Sequence, residues 1–217
     1  MLDTNVAQVA MSLEFTISSS VCGASNEFIG AGKFPGPSIS GYYGANIYLV
    51  GGSANLTFDY YGAEAGFTNR FLWDGTAMFT HNGGNTILNP LTPLATQTIN
   101  GVLPGLLDFS FATNLLGTPG SVVNGFNPYD SSGTLVVPNF FVSFYTLAQS
   151  NGPAGGPTGG QFVWIFLDDA GAGPDDNHDD MMVRISVSSG SLTVPEFLTL
   201  LLLGSGLLGL AVIRRKK

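Results

Sequence analysis

The residues best suited to chemistry lie together near the C-terminus. Asp168, Asp169, Asp175, Asp176, Asp179 and Asp180 put six carboxylates into the thirteen positions from Asp168 to Asp180, with Asn177 and His178 among them. Two carboxylates held about 6 Å apart at an effective dielectric near 40 repel by roughly 1.4 kcal/mol. A hard cation relieves that repulsion. Calcium suits the set, because it takes carboxylate, amide, carbonyl and water oxygens, and Gly171 and Gly173 allow the turns that wrapping an ion requires.

Zinc would want sulfur or several nitrogen ligands where this segment offers His178 alone, and magnesium keeps more of its water. The spacing is not that of an EF-hand. The preferred ligands are Asp175, Asn177, Asp179 and Asp180, then Asp168 and Asp169, with Asp176 in the same run; Glu64 and Asn69 are candidate remote ligands. The competing reading is a solvated acidic loop with no fixed ion, as acidic runs often are.

Other chemistry has less to work with. The histidines are His81 and His178, and no Gly-x-Ser-x-Gly elbow is present. His81, beside Asn82-Gly83-Gly84, reads as an exposed turn residue. A glycosidase needs two carboxylates at a set separation, which sequence alone does not fix. The expectation is a non-catalytic protein.

The acidic segment must be positioned by the strands on either side of it. Phe162–Leu167 is apolar throughout, as a strand buried on both faces would be, and Met181, Val183, Ile185 and Val187 alternate with Met182, Arg184, Ser186 and Ser188. Further strand signals lie at Phe71–Trp73, Ala77–Thr80, Leu106–Phe111 and Phe140–Leu147. Asn46–Val50 and Leu56–Tyr61, separated by Gly51-Gly52-Ser53, read as a hairpin. Gly83-Gly84-Asn85, Asn124-Gly125, Asp130-Ser131-Ser132-Gly133 and the 151–160 stretch read as turns. No helical period is sustained before the tail. The predicted fold is all-β, an antiparallel, jelly-roll-like sandwich over 23–193, after an unassigned segment 1–22 and before a tail at 194–217.

In that tail, Phe197–Ile213 carries no charge and meets Arg214-Arg215-Lys216-Lys217. As a helix these residues reach about 25 Å, the short limit for a membrane span, with the basic end cytoplasmic. The run Val6–Ile17, broken by Gln8 and Glu14 and without a preceding Lys or Arg, does not read as a signal peptide, so an export reading expects a true start upstream.

Charged residues make up 10% of the chain, against roughly 25% in typical domains. Up to Thr193 there are 14 acidic and 3 basic residues, a net of −11. Such a body repels a phosphate backbone, which argues against nucleic acid. The lone cysteine, Cys22, allows no intrachain disulfide.

Val194-Pro195-Glu196, followed by the apolar run and the Arg-Arg-Lys-Lys end, resembles the PEP-CTERM sorting domain of bacterial exported proteins. Phe197 stands where that motif has its second proline. The resemblance implies export, transient anchoring in the inner membrane, and processing by an exosortase-type membrane protease. The segment from Leu167 through Ile185 also resembles an ending found in proteins with such tails. The expected role is structural or adhesive, in an extracellular polysaccharide matrix. The alternative is a carbohydrate-binding or glycoside-cleaving domain using Tyr42, Tyr43, Trp73 and Trp164 as stacking platforms.

Overall fold

The computed structural model describes residues 19–21, 40–86, 92–115, 118–129, 136–145, 157–171 and 178–194. These residues form fifteen strands, and the all-β expectation holds for them. A seven-stranded antiparallel sheet has the order β1 (Ser19–Val21), β2 (Ser40–Tyr43), β11 (Asn139–Ser143), β13 (Phe162–Asp168), β14 (Met181–Val187), β4 (Ala54–Gly62), β7 (Ala95–Val102). A four-stranded sheet has the order β10 (Thr118–Val123), β9 (Phe109–Leu115), β5 (Glu64–Trp73), β6 (Thr76–Asn85). A small sheet joins β12 (Gly159–Gly160), β15 (Ser191–Thr193), β3 (Tyr48–Val50) and β8 (Gly105–Leu106).

The two larger sheets pack face to face through aromatic rings. Phe58 of β4 meets Phe71 of β5 at 5.7 Å between centroids, Tyr60 stacks on Phe79 at 5.6 Å, and Phe140 meets Phe111 at 6.0 Å. These side chains share one core with Val163, Ile165, Val183 and Ile185.

The seven-stranded sheet is buried on its other face as well. There Tyr43, Tyr61, Phe141, Trp164, Phe166 and Met182 form a second cluster. β13 is therefore central, as its sequence predicts. For β14 the expectation of a single inward face needs correction, because Met182 on the opposite face is fully buried. On that face Arg184 pairs with Asp59 at 2.7 Å, and its guanidinium lies 5.5 Å from the Tyr61 ring centroid and 5.2 Å from that of Trp164.

Two turn expectations also change. β3 and β4 are not a hairpin: β3 pairs with β15 and β8 in the small sheet, whereas β4 pairs with β14 and β7. Longer-range partners outcompete the local pairing because Ile47 and Leu49 reach full burial under the small sheet. Gly190, at φ 73°, makes this possible, since a side chain there would strike the Val50 carbonyl. Gly83-Gly84-Asn85 is not a turn but the end of β6, paired irregularly with β5. The 130–133 turn and most of the 151–160 stretch lie outside the described residues, although Gly159-Gly160 is β12.

Three asparagines close gaps where the sheets change partners. Asn124 accepts a hydrogen bond from the Ile47 N–H and donates to the carbonyls of Ile47 and Leu107, at 2.8, 2.9 and 2.8 Å. Asn127 accepts from the Phe140 N–H and donates to the Phe140 and Ala45 carbonyls. The Asn46 side chain accepts from the Gly125 N–H.

Candidate functional site

The acidic segment sits at one end of the sandwich, where β13 ends and β14 begins. Of the predicted ligands, Asp168, Asp169 and Asp179 are almost fully buried and Asp180 is partly buried. Asp175, Asp176 and Asn177 lie outside the described residues. Burial of so many carboxylates requires hydrogen-bond donors, and backbone N–H groups supply several. Asp168 Oδ1 accepts from the N–H groups of Ala170 and Gly171, and Asp180 Oδ2 accepts from the Asp169 N–H at 2.8 Å.

The four-stranded sheet contributes from across the core. Asn69 of β5 donates through Nδ2 to Asp169 Oδ2 at 2.6 Å and to the Asp180 carbonyl at 3.2 Å. The Glu64 N–H donates to the Asp179 carbonyl at 2.9 Å. Both remote residues named from the sequence thus reach the acidic segment, Asn69 through its side chain and Glu64 through its backbone. His178 is held by Asn139 of β11, with Nε2 2.8 Å from Oδ1, and it packs edge-on against Tyr43.

Asn69 lies in a row of polar side chains across the inner face of the four-stranded sheet. Its register partners are His81 on β6 and Thr113 on β9. All three are buried, and Asn69 Oδ1, His81 Nε2 and Thr113 Oγ1 have no hydrogen-bond partner among the described residues. His81 therefore departs from the exposed-turn expectation: β6 continues through it, and its Nδ1 shares a 3.3 Å hydrogen bond with the Tyr60 hydroxyl. Sequence gave no sign of Thr113, whose importance comes only from its register opposite Asn69.

The electrostatics follow from this enclosure. Asp180 is raised from the usual carboxylate range to about 9, chiefly by burial and then by the neighbouring Asp169 charge; the Asp169 N–H opposes the shift. Without a cation, Asp180 therefore carries a proton at neutral pH. Among the described residues no three His, Cys, Asp or Glu side chains converge on one point suited to a metal ion.

The stacking platforms named from the sequence are not on the surface. Tyr42, Tyr43 and Trp164 are buried, and Trp73 is half-buried against Phe58, 5.2 Å between centroids. Among the described residues the aromatic side chain most open to solvent is Phe126, 69% exposed.

Val194 is packed into the core, and its N–H donates to the Thr158 carbonyl at 2.8 Å. Pro195, Glu196 and the apolar run lie outside the described residues. Among the described residues no helix is long and apolar enough to cross a membrane.

No protein-family model matches the chain, and no curated protein matches it. Among solved structures it is similar to the Chromobacterium violaceum lectin CV2L, in complex with alpha-methyl-fucoside. That match has 12% identity and a TM-score of 0.35, and covers 67% of this chain and 98% of that one. A second is the C-terminal domain of the BC2L-C lectin from Burkholderia cenocepacia, at 10% identity and a TM-score of 0.33, covering 67% of this chain and 97% of that one. Scores this low carry no argument about a shared site.

Proposed function

We propose that this chain is an exported, non-catalytic β-domain held at the bacterial envelope by its C-terminal tail, with a structural or adhesive role in the extracellular matrix. The observation that carries this reading is burial: the aromatic rings that could have formed a sugar platform are spent on packing both faces of the seven-stranded sheet. The polar groups that could have formed a catalytic cleft lie inside, where they tie the two large sheets together.

The tail's part in this reading is to insert Phe197–Ile213 as a transmembrane helix and to offer Val194-Pro195-Glu196 to an exosortase-type protease. The position of Val194 supports it, because the described fold runs up to the first residue of the motif, and the proline that follows in sequence has no N–H to donate to a sheet ladder. Flotation of the full chain with vesicles, compared with a chain whose Leu200–Leu203 are replaced by Asp, tests the anchor. Equal flotation of both would end that reading.

The acidic segment is proposed as a structural calcium site, in which Asp175, Asp176 and Asn177 join Asp168, Asp169, Asp179 and Asp180, with Asn69 reaching in from the facing sheet. Support comes from the Asn69 amide: its nitrogen is bound to Asp169, and its buried oxygen has no partner among the described residues. Calcium titration of the full chain by calorimetry, with thermal melts, tests it. Saturable binding that raises the melting point and disappears in an Asp175→Asn, Asp179→Asn variant is expected. An unchanged melt at millimolar calcium would leave a hydrogen-bonded acidic turn without an ion.

The second reading is carbohydrate binding, and the observation that favours it is Phe126, whose open ring offers a stacking face. Glycan-array binding that is lost in Phe126→Ala would establish it.

A further inference from the structure

An asparagine followed by glycine is the step of a protein chain most prone to lose its side-chain amide, because glycine has no Cβ to keep its nitrogen away from the asparagine Cγ. Three such steps are among the described residues: Asn82-Gly83, Asn100-Gly101 and Asn124-Gly125. All three glycines take positive φ, at 87°, 70° and 108°. The fold holds the three steps in different ways.

Asn124 is locked. It is buried, its amide makes the three bonds described above, and the Gly125 N–H donates to Asn46 Oδ1 at 2.7 Å. Asn82 and Asn100 form a closer comparison, since both are exposed and both belong to strands at a sheet edge, β6 beside β5 and β7 beside β4. In each the ladder loses register at the step. Thr68 pairs with Asn82 and Ala65 next with Gly84, while Leu56 pairs with Ile99 and Ala54 next with Val102.

The difference between them is Asn55. It stands opposite Asn100-Gly101, and its Oδ1 accepts from the Gly101 N–H at 3.1 Å. Asn55 is in turn held by Ser188, whose Oγ accepts from the Asn55 N–H at 2.9 Å and whose N–H donates to the Asn55 carbonyl at 3.0 Å. Among the described residues no side chain accepts from the Gly83 N–H, and the Asn82 amide has no hydrogen-bond partner.

We infer that Asn82 is a site of spontaneous conversion to aspartate and isoaspartate, and that Asn55 guards Asn100 against the same change. The Gly83 nitrogen attacks Asn82 Cγ, the new C–N bond closes an imide ring, the Cγ–Nδ2 bond breaks, and Nδ2 leaves with the Gly83 proton as ammonia. Water then opens the imide at Cγ, giving aspartate, or at the main-chain carbonyl carbon, giving isoaspartate. Water is the only other reactant. Ring closure takes the step out of extended geometry, so the ladder must first open locally. At Asn100 that opening also breaks the Asn55–Gly101 bond; at Asn82 there is no such bond to break. Either product sets a carboxylate directly after His81, and isoaspartate adds a main-chain carbon there. His81 is the register partner of Asn69, so the change falls beside the row that leads to Asp169.

The full chain is incubated in mildly alkaline buffer at body temperature, beside a sample unfolded in urea that gives each site its reference rate. Peptide mapping by mass spectrometry, with chromatographic separation of aspartate from isoaspartate, follows positions 82, 100 and 124. In the folded chain Asn82 is expected to convert first, with Asn100 and Asn124 well behind, and in urea the three rates should converge. Asn55→Ala should raise the Asn100 rate about fivefold relative to Asn82, the factor that one ordinary hydrogen bond supplies, whereas Asn55→Asp, which keeps the acceptor, should leave the ratio low. The comparison of Asn82 with Asn100 in the wild-type chain needs no variant to fold. Conversion of Asn100 as fast as that of Asn82 in the folded wild type, or an unchanged ratio in a folded Asn55→Ala chain, overturns the guard. An Asn82 rate as low as that of Asn124 overturns the site.

Discussion

Asn69 and Asp169 stand 100 residues apart in sequence, in strand β5 of one sheet and just beyond strand β13 of the other, and a 2.6 Å hydrogen bond joins them. Together with the second bond from Asn69 to the Asp180 carbonyl, it fastens the acidic turn to the facing sheet. Replacing Asn69 with Ala leaves the Asp169 carboxylate short of a donor in a buried place. An uncompensated bond to a charged group costs about 1.5–3 kcal/mol, so urea denaturation should show a loss of that size. An unchanged midpoint would mean that the turn holds its shape through its own backbone bonds.

The raised Asp180 fixes the sign of a pH dependence. The folded state holds a proton on Asp180 up to about pH 9, whereas an unfolded Asp releases it near 3.8. Between these values the native state binds more protons than the unfolded state, so this group's contribution is complete below about pH 4 and is lost as pH rises through 9. In calcium-free buffer, melting points of the wild-type chain should fall more steeply with pH over that window than those of Asp180→Asn. Parallel curves would assign the dependence elsewhere. If calcium binds here it must displace the proton, so its apparent affinity should rise with pH.

Asn124 predicts a larger effect than its size suggests. Its side chain makes three short bonds to buried backbone groups of two separate segments. Asn124→Ala strands an N–H and two carbonyls, each costing about 1–3 kcal/mol if water cannot reach it. A drop of at least about 3 kcal/mol by chemical denaturation is expected, and a drop below 1 would show that water enters. Asn124→Asp should be intermediate, keeping the acceptor and losing the donor.

Asp59 is buried beneath Arg184 and also accepts a hydrogen bond from the Thr96 hydroxyl at 2.7 Å. Arg184→Met removes the cation while filling much of the space between Tyr61 and Trp164. It should cost about 1.5–3 kcal/mol through the stranded carboxylate, and Asp59→Asn on top of it should recover part of the loss. A double-mutant cycle measures the pair; simple additivity would show that the two side chains do not depend on each other.

How much of this was legible in the sequence depends on the range of the interactions. β13, β14 and the acidic turn were readable because the pattern of Phe162–Leu167 and the alternation from Met181 to Val187 record their surroundings locally. The separation of β3 from β4 was not, since each pairs with strands far along the chain and Gly51-Gly52-Ser53 looks the same in a hairpin or a crossover. His81 was misread for a related reason: the glycines after it suggest a turn, yet the β5 register carries β6 through them. Asn69 could be named as a remote ligand, but its reach to Asp169 depends on two sheets packing, and no local pattern contains that. The second aromatic cluster was hidden because Trp164 and Met182 alternate with core residues in the same strands.

The order of strands in the large sheet also bears on timing. β13 and β14 lie between β11 and β4, so the middle of the sheet is supplied by strands that follow both of their flanking neighbours in sequence. Until those strands are present, β4 and β11 each lack a neighbour on one side, so the seven-stranded sheet cannot close, although the four-stranded sheet is made entirely of earlier strands. Pairings at such sequence separations close slowly. In the large sheet the central join is therefore the last to be completed, and its two flanks, β1-β2-β11 and β4-β7, stay separate until β13 and β14 bridge them.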